Sequence, residues 1–414
     1  MAEVSTEPVV IVGGGQAAVQ LCLALRKEKI DTPVVILSEE PDYPYHRPPL
    51  SKSFLAGTTD EEKLLMRPNS FYAAKQIEVV LNTKVTTIDI QTKSVHADSG
   101  AYRYSDLVLA TGARPRRLSI PGAELGGVHL LRDLDQSRRI KQELSSVQNI
   151  VVIGAGFIGL EFACVARSLG KHVTVFDMAD RVMERAVSPD VSHWFAKTHR
   201  DDQIDLRLQD SVTEVLGEQR VTQVKTASGD LLDCDQLLIG IGVIPNDELA
   251  TEASLNCGDG VLVDEYCKTS ANHIYAAGDC ASHPNPFADG AMIRLESIQN
   301  ATDQSRIIAK AIAGKPTPYN SVPWFWSDQG ENTLQMAGLS ISADRFVTRG
   351  ELNPTSAGKA SFSVFHFADQ RLQCVDSINS PKDHMLARKL LQSQVSCTPE
   401  QAADPDFDLK SLMV

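Results

Sequence analysis

The sequence predicts an α/β protein made of two similar strand–turn–helix units and a smaller α+β module towards the end of the chain. Three observations carry this. Residues 9–18 read VVIVGGGQAA, four apolar β-formers running into a glycine turn and a helix start. The same arrangement recurs from Ile150 to Asp177. From Pro323 onward the texture changes to short strand-like runs followed by one helix.

The first unit has the spacing GxGxxA of a Rossmann-like dinucleotide site. Gly13 permits the turn, Gly15 lets a pyrophosphate approach the backbone, and Ala18 lets the helix pack on its strand. That spacing alone is a weak signal, because glycine turns between strand and helix are common in α/β proteins. A second strand, 34–37, then ends in Ser38-Glu39-Glu40. Glu39, 26 residues beyond Gly13, is placed to hold the adenosine ribose hydroxyls. A solvated acidic loop is the other reading of this pair.

The second fingerprint is GxGxxG, with Gly154, Gly156 and Gly159 enclosing Phe157 and Ile158. Its helix runs to Gly170, a C-cap residue. The strand 173–176 ends in Asp177, 23 residues beyond Gly154. A carboxylate there accepts hydrogen bonds from a free ribose diol and repels a 2′-phosphate, so NADH is favoured over NADPH. Arg181 and Arg185, close behind, soften that preference. Two dinucleotide sites in one chain predict an enzyme that passes electrons between two nucleotides.

Composition sets the bounds. The 414 residues suffice for two or three domains, and 43% hydrophobic with 22% charged residues is ordinary for a globular protein. A net charge of −13 argues against general nucleic-acid binding. No apolar run approaches a membrane span, and nothing before Val9 resembles a signal peptide, which predicts a cytoplasmic protein. The eight cysteines form no CxxC or CxxxxC pair and no metal-ligand spacing. A dithiol relay and a metal centre are therefore not expected.

Between these landmarks, residues 16–29 carry helical apolar spacing. The segment YHRPPLSK (45–52) is stiffened by Pro48 and Pro49, and Arg47 suits a pyrophosphate by its charge and fork of donors. His46 is read as a bystander. A short helix at 69–75 and strands at 77–81 and 84–90 lead to a buried strand that ends in Ala110-Thr111-Gly112. Pro115, Pro121 and Gly122 mark a crossover into the second unit, and Pro245-Asn246 marks the return. A β-rich stretch, 203–239, closes at Gly240-Ile241-Gly242, and the strand 273–277 runs into Gly278-Asp279. Glu296 and Ser297 open a helix that reaches about residue 313. On it Arg306 and Lys310 share a face at i, i+4, either as a solvated face or as a basic patch for an acidic partner. Trp324 and Trp326 alternate, so on a strand they share a face. Glu161, two residues past Gly159, complements its helix dipole.

Taken in order, GxGxxA, RPPLSK, ATG, GxGxxGxE, GD, the RLES helix and PWFWSD resemble the oxygenase-coupled ferredoxin reductases. Putidaredoxin and rubredoxin reductases and the apoptosis-inducing-factor flavoproteins are relatives, and their fold is glutathione-reductase-like. The resemblance implies an FAD-binding domain at 1–113 and 245–322, an NAD-binding domain at 114–244 and a C-terminal domain at 323–414. FAD is then held by Gly13, Gly15, Ala18, Glu39, Arg47 and Lys52, and by Val85 and Ala110-Thr111-Gly112. Asp279 accepts from a ribityl hydroxyl, the helix opened by Glu296 and Ser297 points at the pyrimidine side of the flavin, and Trp324 lies against the ring. Arg132 completes this set, or is simply a helix-start arginine. NAD falls to Gly154, Gly156, Phe157, Ile158, Gly159, Glu161, Asp177, Arg185 and Gly242.

Lys52 and Glu161 pair beside the flavin N5 and the nicotinamide amide as the catalytic residues. The activity implied is hydride transfer from NADH to noncovalent FAD, then single electrons to a small ferredoxin or rubredoxin that feeds an oxygenase. Arg306 and Lys310 would dock that carrier, and the protein would be a monomer or homodimer. Two other classes stay open, a slow redox-sensing flavoprotein and an NADH oxidase. The oxidase branch uses a cysteine where this chain has Leu50-Ser51-Lys52.

Overall fold

The computed structural model describes residues 7–352 and 359–413. The chain divides into two compact units, the first formed by Met1–His46, Glu61–Arg114 and Ile244–Pro323, the second by Arg47–Asp60, Pro115–Val243 and Trp324–Val414.

The first unit is built on a five-stranded parallel sheet. Its order is Ile274–Ala276, Asp106–Leu109, Val9–Val12, Val34–Leu37, Ile77–Val80. The VVIV run reads as continuous apolar sequence because the central strand is buried along its whole length. The helix Gln16–Lys27 follows the glycine turn and packs on the helix Ile298–Ile312, where Ser305 Oγ donates to Ala17 O at 2.8 Å. The first of these helices stops two residues before the expected end because Lys29 turns to φ 63°. The second starts at Ile298, not Glu296, because Ser297 is extended and its Oγ accepts from Asn300 N.

The second unit repeats the parallel sheet in the order Asp205–Leu208, His172–Asp177, Asn149–Ile153, Gln236–Ile239, Val128–His129. It also holds a five-stranded antiparallel sheet, Trp324–Gln329, Asn332–Gly338, Arg371–Ile378, Ser361–Ala368, Arg345–Glu351, packed by the helix Pro381–Gln392. The sequence reading kept residues 47–60 with the first unit and set 323–414 apart. In the structure residues 47–60 lie with the second unit, and 324–414, with its own antiparallel sheet, falls within that unit too. Local contacts explain the first difference, since Leu50 O accepts from Ser137 Oγ at 2.9 Å. The two crossings are tied within each unit, by Asn246 N to Gly112 O and by Arg116 N to Gly242 O, both 2.9 Å. Among the described residues no helix is long and apolar enough to cross a membrane.

Candidate functional site

Each parallel sheet ends in a glycine cradle. In the first unit Gly13 sits at φ +109°, and a Cβ there would lie 2.2 Å from Ala110 O. The ATG turn and the first fingerprint therefore need each other's backbone. Gly15, by contrast, has open space where a Cβ would stand. It is also the N-cap of its helix and carries no side-chain cap, which leaves backbone N–H groups facing that space. Nearby, Gln16 Oε1 and Asn300 Oδ1 are buried without a hydrogen-bond partner. An uncapped helix start, open room at a glycine and two orphaned acceptors fit the phosphate and hydroxyl groups of FAD. Ala18 is fully buried against the strand, as its packing role requires.

The rest of the first unit's set is held as follows. Thr111 Oγ1 donates to Asn246 O at 2.6 Å, and Asn246 Nδ2 donates to Thr111 O at 2.9 Å. Gly278 N donates to the buried Gln304 Oε1 at 2.7 Å, fixing the turn that carries Asp279. Glu39 is exposed and lies 3.6 Å from Lys84. Val85 is buried in the apolar core, so its part in a site is through packing. Glu296 pairs with Arg294 at 2.7 Å. The helix carrying Arg306 and Lys310 does present both on one face, but Arg306 is ion-paired to Asp303 at 2.9 Å and Lys310 Nζ reaches Thr317 Oγ1 at 3.4 Å. Its basic character is weaker than the spacing suggests.

The second unit's cradle obeys the same rules. Gly154 has φ +109° with a Cβ position 2.3 Å from Gly240 O, Gly159 would collide with Gly154 O, and Gly156 faces open space. Gly156 caps the helix Phe157–Ser168 without a side-chain bond. Asp177 stands at the strand end, Oδ2 accepting from Ala155 N at 2.6 Å and Oδ1 from Ala179 N at 2.9 Å. Its carboxylate thus holds the fingerprint turn. Arg181 is turned onto its own loop, donating to Val187 O and Glu184 O, while Arg185 is exposed. Ile158 is exposed at the helix start, and Phe157 packs on Phe325 with ring centroids 4.7 Å apart.

One turn into that helix, Glu161 is 3% exposed and has three donors. Lys52 Nζ is 2.8 Å and Ser51 Oγ 2.6 Å from Oε2, and Ser327 Oγ is 2.7 Å from Oε1. The helix-dipole reading alone does not account for this, because an exposed N-terminal acid needs no such shell. Sequence reasoning found Lys52 and Glu161 but missed Ser51 and Ser327. Alternation along the strand puts Ser327 with Phe325 on the face opposite Trp324 and Trp326, but it does not say that this face meets Glu161. The structure also brings Arg47 and Arg132 together, Arg47 Nη1 donating to Arg132 O at 2.8 Å just before the Asp133 cap. Trp324 is partly buried, 5.8 Å from Trp326 by ring centroids, with the Arg388 guanidinium 4.7 Å over its ring.

The sequence and the fold both have matches among known proteins. Residues 7–305 match the pyridine nucleotide-disulphide oxidoreductase family and residues 324–413 the reductase C-terminal family. The chain belongs to the first of these families. It is 44% identical to the rhodocoxin reductase of Rhodococcus erythropolis, over 97% of this chain and 93% of that one. A ferredoxin reductase structure from Rhodopseudomonas palustris superposes with a TM-score of 0.94 at 41% identity, covering 99% of this chain and all of that one. The reductase in a covalent putidaredoxin reductase–putidaredoxin complex gives 0.93 at 36%, covering 99% of each chain. The protein is thus an NAD(P)H-dependent flavoprotein oxidoreductase.

The disulphide of the family's description has no counterpart here. All eight cysteines are free, and seven are buried. Burial pushes the thiols of Cys22, Cys164 and Cys234 up to about 12. Among the described residues His366, Cys374 and Asp376 are grouped at metal-ligand spacing. Asp376 Oδ2 already accepts from His366 Nε2 at 2.9 Å and from Ser188 N at 3.0 Å, which anchors the start of the helix Pro189–Asp201.

Proposed function

We propose that this protein takes reducing equivalents from NADH and delivers them singly to a small iron–sulfur ferredoxin or a rubredoxin that serves an oxygenase. Bound FAD supplies the conversion from a two-electron hydride to single electrons. The observation that carries the reading is the buried Lys52–Glu161 pair in a chain holding two glycine cradles and no redox disulphide. In this reading Gly13, Gly15 and Ala18 seat the FAD pyrophosphate, with Arg47 and Arg132 adding charge and Asp279 binding the ribityl chain. Gly154, Gly156 and Gly159 seat the NADH pyrophosphate.

Asp177 holds the NADH ribose diol. With Arg181 committed to its own loop, it is not free to pair with a 2′-phosphate, and NADH is the donor. Glu161 and Lys52 orient the nicotinamide amide, which serves hydride transfer by alignment rather than by general base catalysis. Trp324 shields the ring, and Arg306 with Lys310 meets the acidic carrier. The free, mostly buried thiols suit a reducing cytoplasm.

Stopped-flow mixing of the yellow protein with NADH, then with several ferredoxins and rubredoxins, tests this. Fast bleaching followed by fast reoxidation by a carrier, and not by oxygen, is expected. A reduced, long-wavelength-absorbing complex that no carrier discharges would replace the reductase with a redox sensor.

A further inference from the structure

The Glu161 carboxylate is not the end of its hydrogen-bond network. Ser327 Oγ lies 3.2 Å from Gln329 Nε2, Gln329 Oε1 is 2.8 Å from His199 Nε2, and His199 Nδ1 is 3.6 Å from Cys164 Sγ. Ser327, Gln329 and His199 are at most 1% exposed. The line therefore runs through the interior from the strand Trp324–Gln329 to the helix Pro189–Asp201.

Its polarity is forced. A carboxylate only accepts, so the single proton of Ser327 is committed to Glu161 Oε1. Ser327 oxygen must then accept, which orients the Gln329 amide with nitrogen towards Ser327 and oxygen towards His199. His199 must donate from Nε2. Burial holds this imidazole below its ordinary value, so it is neutral and Nδ1 is left to accept from the Cys164 thiol. Every donor points the same way, and such lines polarise one another. The ionisable groups facing the line are Lys52, Cys164 on Glu161's own helix, and Asp202 beside His199. The strand brings it neutral Ser327 and Gln329.

We propose that Ser327, Gln329 and His199 are positioning residues, a one-directional line through which the C-terminal sheet holds the Glu161 carboxylate, and with it Lys52, in place. This rests on the role given above to Glu161 and Lys52.

The holoprotein carrying 15N-labelled histidine provides the test. In the wild type His199 is the Nε2–H tautomer. In Glu161→Gln, Lys52 and Ser51 keep an oxygen on their side, so the new amide N–H faces Ser327. The buried Ser327 proton then keeps an acceptor along the line only if Gln329 turns over, so the line is expected to reverse and His199 to switch to the Nδ1–H tautomer. Gln329→Leu cuts the line; it is expected to lower the limiting rate of flavin reduction roughly tenfold while the NADH dissociation constant stays within about twofold. Ser327→Ala behaves like it, and Ser327→Thr, which keeps the hydroxyl, restores the rate. A His199 ring that stays Nε2–H in Glu161→Gln overturns the proposal. So does a Gln329→Leu protein whose melting temperature falls but whose limiting rate does not. A Glu161→Gln protein that switches tautomer yet reduces flavin at the wild-type rate keeps the line and removes the role assigned to Glu161.

Discussion

Lys52 Nζ lies 2.8 Å from Glu161 Oε2, and the carboxylate is 3% exposed. A buried pair of this kind contributes little net stability, yet breaking it from one side strands a charge. Lys52→Ala leaves Glu161 inside with two hydroxyl donors and no cation, and is expected to cost about 3–5 kcal/mol. Glu161→Gln leaves Lys52, which is 19% exposed and able to reach water, and is expected to cost much less. Chemical denaturation of the two variants compares them. Equal losses would mean that the pair is not the buried electrostatic unit described here.

The glycine cradles separate folding from cofactor binding. Gly13→Ala places a methyl 2.2 Å from Ala110 O at φ +109°, so it strains the protein whether or not FAD is present, by about 1–3 kcal/mol from the backbone alone. Gly15→Ala meets no protein atom within 4 Å. It should unfold like the wild-type apoprotein yet retain FAD poorly, because its methyl occupies the room left for a pyrophosphate. Apoprotein melting and FAD titration read the two effects. Wild-type FAD affinity in Gly15→Ala would move the pyrophosphate elsewhere.

Donor choice turns on Asp177, whose two oxygens accept from Ala155 N and Ala179 N. Asp177→Asn keeps an acceptor for one of these two N–H groups and removes the charge that repels a 2′-phosphate. The ratio of kcat/KM for NADH over NADPH is expected to exceed roughly tenfold in the wild type and to fall at least tenfold in the variant. A wild-type protein that already prefers NADPH would sink the assignment.

Much of this was legible in the sequence for a physical reason. Gly13, Gly154 and Asp177 are set by backbone sterics and strand length, which act over short stretches of chain. What escaped reading depends on long-range partners. The shell of Glu161 comes from residues 51, 52 and 327, far apart in the chain, and no local pattern announces that a serine on a strand will meet a buried carboxylate. Arg306 shows a local effect that its spacing with Lys310 does not convey: Asp303, at i−3 on the same helix, pairs with its guanidinium. Residues 47–60 form a tight helical turn at Pro48–Ser51 that Ser137 ties to the second unit through Leu50 O, and proline stiffness alone does not announce that long-range partner.

Three buried histidines set an acid limit on stability. Burial lowers His283 and His384 from 6.5 to about 4, with the Arg388 charge assisting at His384, and burial lowers His199 in the same direction. For His283 and His384 the unfolded chain binds a proton between about 4 and 6.5 and the folded one does not, so their contribution is full above pH 6.5 and drains away as pH falls towards 4. Each of the first two contributes a loss of roughly 3 kcal/mol across that window. His384→Gln removes one titration, and its melting temperature, measured with excess FAD, should fall less steeply over the window than that of the wild type. Parallel slopes for the two proteins would mean that His384 is protonated inside the fold, against the burial that Trp324 and Arg388 impose on it.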